Sequence, residues 1–314
     1  DGAAALEQVA TLKPDIVTMD IQMPGMDGFE ATRQLMAKSP LPIVIVSSSY
    51  RPSDVDMTFK ALDAGALTAL EKPPGFNDPR HEQLARELVR SVKLMSEIMV
   101  VRRISRPRPV SEPREREAPA QVKVRVIAVG ASTGGPPALR KLLGALSPDL
   151  SAPVLVVQHI ASGFTQGMVD WLNQAAPLRV HMATHGEYAL PGCCYIAPED
   201  LHLAINATGH IVLDDSPPEH SMRPSVGVLF RSVIEHCGGD AIGVLLTGMG
   251  RDGAVELKRM KEQGAITLCQ DRESSVVHGM PGEAVRLGGA SHVLPVPEIA
   301  ALINKHATRV QEAS

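Results

Sequence analysis

The sequence has 314 residues, with 31 Lys and Arg against 35 Asp and Glu and a formal net charge of −4. That length accommodates two domains of ordinary size, each with its own core. The mildly negative balance argues against a nucleic acid as partner, because phosphate backbones require a concentrated basic surface. With 44% apolar residues and only 3% aromatics, the cores must be built from Val, Ile, Leu, Ala and Met.

Four cysteines, Cys193, Cys194, Cys237 and Cys269, occur without C-x-x-C spacing, so neither a zinc site nor a disulfide framework is suggested. A reducing, cytoplasmic location is expected. No apolar run approaches the roughly 18 residues needed to cross a bilayer, and no charged-then-apolar leader opens the sequence, so no membrane insertion is expected. The opening DGAAALEQVA reads as a helix already under way, which suggests a start inside a domain.

From residue 1 to about 101, short apolar runs alternate with helical patterns, the signature of a parallel α/β sheet. Strands are expected at 15–20, 42–48 and 66–72. Helices are expected at 29–37, 54–64 and 81 to about 103. Three strands are few for an open sheet, which normally has more. Residues 102–121, RRISRPRPVSEPREREAPAQ, are rich in Pro, Arg and Glu and read as a solvated linker. The β/α alternation resumes over 122–306, with strands expected at 124–129, 153–158, 241–246 and 265–270. Two further runs, 194–198 and 210–214, flank a glycine-containing turn and suggest a hairpin inserted between parallel strands. Residues 307–314 read as a tail. The expected fold class is thus α/β: two doubly wound parallel-sheet domains, a partial flavodoxin-like one followed by a Rossmann-like one with an inserted β-hairpin.

In the first domain, DIQMPGMDG puts Asp20 at the carboxyl end of a strand, the edge where open parallel sheets bind ligands. Lys72 ends another strand, and Ser47 with Ser48 ends a third. Singly, each is an ordinary turn or strand-end residue. Together, an acceptor carboxylate, a cation and a hydroxyl suit phosphoryl transfer to Asp20. The pattern D-x-x-M-P-x-M-D-G, with V-S-S and a later K-P, resembles the receiver domain of bacterial response regulators. That resemblance makes Asp20 the phosphoacceptor, Lys72 the phosphate-binding lysine and Ser47 the switch hydroxyl. It also implies Mg²⁺ for phosphorylation, but the acidic pair that receivers carry on a first strand is not in this sequence. Asp20 and the Gln22 carbonyl alone form an incomplete Mg²⁺ site, so weak folding and phosphorylation of this domain are expected.

In the second domain, VIAVGASTGGP runs from a strand into a knot of small residues. A dinucleotide fingerprint needs glycine where Ser132 stands, and a Walker loop needs Gly-Lys-Ser/Thr where Pro136, Pro137 and Ala138 follow. What does fit is G-x-S-x-G, in which glycines allow a tight strand-to-helix turn that exposes the Ser132 hydroxyl. Such a turn also occurs for packing alone, so partners must decide. A serine needs a base and the base an orienting carboxylate. His159 directly follows the strand at 153–158 and emerges at the same sheet edge; His185 and His292 also lie near loop or strand ends. Asp252, in LLTGMGRDGA, either caps the following helix or orients the histidine. Backbone N–H groups of Thr133 and Met249 are candidates for an oxyanion hole.

The order Ser, His, Asp differs from that of the α/β-hydrolases. GASTGGP, QHI-x-x-GFT, RPSV from Arg223 and LLTGMG-x-DGA, downstream of a receiver-like segment, resemble the chemotaxis protein-glutamate methylesterases. By that resemblance Ser132 is the nucleophile, His159 the base, Asp252 the orienting acid, and Met249 part of the oxyanion hole. SVVHGMP at 275–281 also matches, without an assigned role. The resemblance implies hydrolysis of glutamate methyl esters on chemoreceptors, deamidation of receptor glutamines by the same route, and no cofactor for catalysis. Expected partners are the chemoreceptor cytoplasmic domain and a chemotaxis histidine kinase, with the protein a monomer and the unphosphorylated receiver packed over the catalytic opening. An esterase for another protein ester, a non-enzymatic module and a nucleotide-binding domain are the competing readings.

Overall fold

The computed structural model describes residues 1–47, 52–97 and 124–308. The expected linker at 102–121, Ser48, the end of the helix expected to reach 103, and all but the start of the expected tail lie outside these residues.

The first domain opens with α1 (Gly2–Leu12), whose N-cap Asp1 accepts a hydrogen bond from the Ala4 N–H. There follow β1 (Val17–Met19), α2 (Gly28–Lys38), β2 (Ile43–Ser47), α3 (Pro52–Asp63), β3 (Thr68–Glu71) and α4 (His81–Ser96). The three strands pair in parallel in the order β1-β2-β3, as the alternation of apolar runs predicts. Asp27 caps α2 by accepting from Glu30 N–H, which fixes where the loop after Asp20 turns into helix.

The second domain comprises β4 (Val126–Ala131), α5 (Gly135–Gly144), β5 (Val154–Gln158), α6 (Thr165–Asn173), β6 (Arg179–Met182), β7 (Cys193–Ile196), β8 (His202–Ile205), β9 (Ile211–Asp214), α7 (Val226–Cys237), β10 (Ala241–Leu245), α8 (Ala254–Glu262), β11 (Ile266–Gln270), α9 (Met280–Arg286), β12 (His292–Leu294) and α10 (Val296–Ala307). Seven of these strands form one parallel sheet in the order β12-β11-β10-β4-β5-β7-β6. The hairpin exists, but its first strand differs from the expectation. β8 pairs antiparallel with β9, while β7, expected as a hairpin strand, joins the main sheet between β5 and β6. The reason is burial: Cys194, Tyr195 and Ile196 are consecutive and buried, as a strand covered on both faces requires. The edge strands β6 and β12 escape the sequence pattern because they are short and carry Arg179, His181 and His292.

Alternating residues of the central strands feed two cores. Ile127, Val129, Val154 and Val156 face α5, α6 and α10, whereas Val126, Ala128, Leu155 and Val157 face α7, α8 and α9. Thus α5, leaving β4, and α8, leaving β10, lie on opposite faces. β4 and β10 are hydrogen-bonded neighbours, so their carboxyl ends flank a topological switch point, where ligand crevices of open α/β sheets form.

The two domains share a core. Helix α3 packs against α5 and α6, with Phe59 stacked on Trp171 at 5.1 Å between ring centroids. Arg140 lies over the same indole ring, 4.5 Å from its centroid, and pairs with Asp63 at 3.4 Å. Gly167 has no side chain because none fits: a Cβ there would stand 1.9 Å from Val55 Cγ1. Among the described residues no helix is long and apolar enough to cross a membrane.

Candidate active site

Strand register brings the predicted residues together. Ala131 of β4 pairs with Gln158 of β5, so the next residues, Ser132 and His159, leave the sheet side by side. Leu245 of β10 pairs with Gly130 on the other flank, and Ser132 N–H donates to the Thr247 carbonyl at 3.0 Å. The turn carrying Asp252 therefore starts against the candidate nucleophile. A Cβ on Gly248 would lie 2.8 Å from Ser132 Cβ, which explains the glycine. Gly134, at φ +75°, supplies the left-handed residue that turns the chain into α5.

His159 Nε2 lies 3.0 Å from Asp252 Oδ2, and both side chains are nearly sealed from solvent, at 9% and 7% exposure. With Nε2 bound to the carboxylate, the nitrogen left for proton transfer is Nδ1, which is buried without a hydrogen-bond partner. Ser132 Oγ likewise makes no hydrogen bond among the described residues.

Asp252 caps a helix, but not the one that follows it. Gly253 is the N-cap of α8, while Asp252 reaches to the start of α7. Its Oδ1 accepts from Gly227 N–H at 2.9 Å and Ser225 Oγ at 2.9 Å, and its Oδ2 from Val226 N–H at 2.7 Å. Burial would raise its pKa. The hydrogen bond and charge of His159, together with the Val226 and Gly227 N–H groups, outweigh that and hold the carboxyl below its ordinary value. The carboxylate is thus kept ionised beside the imidazole.

Thr133 and Met249 N–H, the expected oxyanion donors, have no backbone acceptor among the described residues. The neighbouring Gly134 N–H is taken: it donates to the carbonyl of Leu67, in the first domain, at 3.2 Å. Met249 and Val276 pack against a cluster formed by Val44, Leu67 and Met95, all of the first domain. That domain therefore sits on the candidate catalytic turn itself.

Sequence reasoning missed the buried supports. Gln158 Nε2 donates to the carbonyls of Ser132 and His159, at 2.9 and 2.7 Å, tying the Ser132 and His159 turns together. Thr247 N–H donates to Gln270 Oε1 at 2.8 Å and Thr247 Oγ1 to the Thr133 carbonyl at 2.9 Å. The signal was present: both glutamines end otherwise apolar strands, VLVVQ and ITLCQ. The 275–281 segment braces the turn, since Gly248 N–H donates to the Val277 carbonyl and the Gly279 and Met280 N–H groups donate to the Gly248 carbonyl. Glu199 anchors the loop after His159, accepting from Ser162 Oγ, Gly163 N–H, and Thr165 N–H and Oγ1. Burial opposes its ionisation, but these bonds together draw its pKa below the ordinary value. The other histidines have structural places. His185 Nδ1 lies within bonding distance of Leu213 backbone atoms, and His292 is on edge strand β12.

In the first domain Asp20 directly follows β1, and its Oδ2 pairs with Lys72 Nζ at 2.7 Å. Ser47 is buried at the end of β2, where its carbonyl accepts from Lys72 N–H. Gln22 N–H donates to Asp20 Oδ1 at 3.2 Å. No group of three or more His, Cys, Asp or Glu side chains that could hold a metal stands together among the described residues. Asp20 and the Gln22 carbonyl do not make a Mg²⁺ site by themselves.

A serine, a histidine and an aspartate at three neighbouring strand ends, beneath a receiver-like sheet, are the arrangement of a serine hydrolase domain joined to a response-regulator receiver. The comparisons agree with that class. Residues 127–303 match the CheB methylesterase family, and residues 1–81 the response regulator receiver domain. The chain belongs to the CheB methylesterase family. It is 50% identical over 302 residues to a protein-glutamate methylesterase/protein-glutamine glutaminase of Geobacter metallireducens, covering 95% of this chain and 87% of the relative. It is equally 50% identical to one from Nitrosospira multiformis, covering 96% and 86%. The crystal structure of the Thermotoga maritima CheB methylesterase catalytic domain superposes with a TM-score of 0.56 at 35% identity, covering 59% of this chain and 99% of that one.

Proposed function

We propose that this protein hydrolyses glutamate γ-methyl esters on chemoreceptors, and deamidates receptor glutamines, through Ser132, His159 and Asp252 under control of its receiver. The observation that carries the reading is the convergence of these three residues at the carboxyl ends of β4, β5 and β10, with the His159–Asp252 bond formed. Ser132 Oγ attacks the ester carbonyl and its proton passes to His159 Nδ1. The resulting imidazolium is stabilised by Asp252, and the tetrahedral oxyanion is held by Thr133 and Met249 N–H. Collapse breaks the bond to methoxide, which takes the Nδ1 proton and leaves as methanol. Nδ1 then deprotonates a water that attacks the acyl-enzyme, releasing the glutamate carboxylate and regenerating Ser132. A glutamine amide follows the same path with ammonia as leaving group.

Phosphorylation of Asp20 by a chemotaxis histidine kinase would break the Asp20–Lys72 pair and recruit Lys72 and Ser47 to the phosphoryl oxygens. The contacts that such a change must loosen are those of α3 on α5 and α6 and of Leu67 on Gly134. Receiver phosphorylation in general depends on Mg²⁺. No part of the catalytic scheme needs a metal or an organic cofactor. The protein acts as a monomer in the cytoplasm. The test is methanol release from methylated chemoreceptor membranes with and without a small-molecule phosphodonor. Stimulation by phosphodonor in the wild type, lost in Asp20→Ala with basal release retained, is expected; equal stimulation in the variant contradicts receiver control.

A further inference from the structure

Beside the candidate triad lies an open cavity of about 750 Å³ whose wall includes Gly250, Arg251, Arg272, His278, Glu283 and Arg286. None of its lining belongs to the first domain. It begins at the candidate oxyanion turn, through Gly250. Gly250 is two residues from Gly248, which abuts Ser132, and consecutive Cα atoms are about 3.8 Å apart, so the cavity opens within roughly 10 Å of the nucleophile.

Its charge is one-sided. Three guanidinium groups face one carboxylate, and that carboxylate is already committed: Glu283 accepts two bonds from Arg286, at 2.7 Å each. Arg251 adds only a weaker electrostatic pull on Glu283. Arg251 and Arg272 are exposed and make no hydrogen bond or ion pair within the described residues. His278 is held away from the carboxylate, with Nε2 on the Gln270 carbonyl. Two uncommitted guanidinium forks thus edge a cavity on a protein whose net charge is −4. Neither serves the hydrolysis, and a locally positive wall on a negative molecule selects an anionic ligand. Guanidinium forks match carboxylate geometry.

We infer that Arg251 and Arg272 form a specificity subsite that binds a carboxylate side chain of the protein substrate flanking the esterified glutamate. The subsite rests on the esterase reading above, because it places the ester at Ser132. It would bind acidic neighbours of the ester in the ground state and show itself in KM rather than in kcat.

The test uses the full chain and three synthetic peptides bearing one glutamate γ-methyl ester, flanked by Glu, by Gln or by Lys at otherwise identical positions. The expected result is a KM about tenfold lower for the Glu-flanked than for the Gln-flanked peptide, a preference abolished by raised salt and by R272Q. In R272E the order should invert toward the Lys-flanked peptide, an outcome that loss of fold cannot produce. Equal KM values for all three peptides in the wild type, or an unchanged preference in R272E, overturn the subsite. A second arm measures binding of unesterified Glu- and Gln-flanked peptides to Ser132→Ala, which needs no turnover. If no peptide is hydrolysed by the wild type, the esterase reading fails, and this arm still decides the subsite: preferential binding of the Glu-flanked peptide supports it and equal binding overturns it.

Discussion

The carboxylate of Asp252 meets Nε2 of His159, not Nδ1, so the nitrogen left for the proposed proton transfer is the one nearer the residue's own backbone. The tautomer with the proton on Nε2 is the one that Asp252 selects. Asp252→Asn should reverse that preference, because the amide can donate to Nε2 and so force the proton onto Nδ1. A fall in kcat of about 10⁴-fold is expected, the scale seen when an orienting carboxylate is amidated elsewhere. Steady-state kinetics on the methylated substrate check this, with circular dichroism to show that the variant folds.

Ser225 is a milder lever on the same carboxylate. It caps α7, giving Gly227 N–H an acceptor, and donates Oγ to Asp252 Oδ1. Ser225→Ala removes both roles, so a loss of about 1 kcal/mol in denaturant unfolding is expected, the usual cost of a lost N-cap. Activity should fall by roughly tenfold, far less than in Asp252→Asn, because the Val226 and Gly227 N–H groups still hold the carboxylate. Equal losses in the two variants would contradict this division.

The interface predicts a gain of activity. At Gly167 a Cβ would meet Val55 Cγ1 at 1.9 Å, so Gly167→Ala wedges α6 from α3. Overpacking costs about 1–3 kcal/mol, and here the strain falls on the contact between domains. Esterase activity of the unphosphorylated protein should rise by about tenfold, with little further stimulation by phosphodonor. Unchanged basal activity would mean that the receiver contact does not restrain the site.

Acid sensitivity follows from Glu199 and Asp252, whose folded-state pKa values are both depressed. At low pH the unfolded chain binds more protons at these groups than the folded chain does. Their contribution is therefore complete above the ordinary carboxylate range and is lost as pH falls through the depressed folded values. Glu199→Gln should lower stability at neutral pH and flatten its decline between about pH 5 and pH 2. Urea midpoints across that range are the measurement, and parallel curves for wild type and variant would contradict the assignment.

Much of this site was legible because its chemistry sits at strand ends. Ser132, His159 and Asp252 each follow an apolar run that the sequence marks as a strand, and parallel register then sets them side by side. The same logic placed Asp20 against Lys72. Short edge strands with charged residues, β6 and β12, carry no such run and were invisible. The run at β7 reads locally as a hairpin strand, and only its place in the sheet shows that Cys194–Ile196 is covered on both faces. Nor could spacing reveal that Asp252 caps α7 across the fold, 25 residues or more upstream in the chain; the RPSV motif was a clue without a partner. Gln158, Gln270 and Glu199 act through backbone groups of distant turns, contacts that local pattern does not encode.

Methanol release from methylated chemoreceptor membranes by the wild type and by Ser132→Ala tests the central claim most directly. Steady release by the wild type and a loss of at least about 10³-fold in the variant, with the fold intact, are expected. Release by Ser132→Ala at the wild-type rate would contradict it.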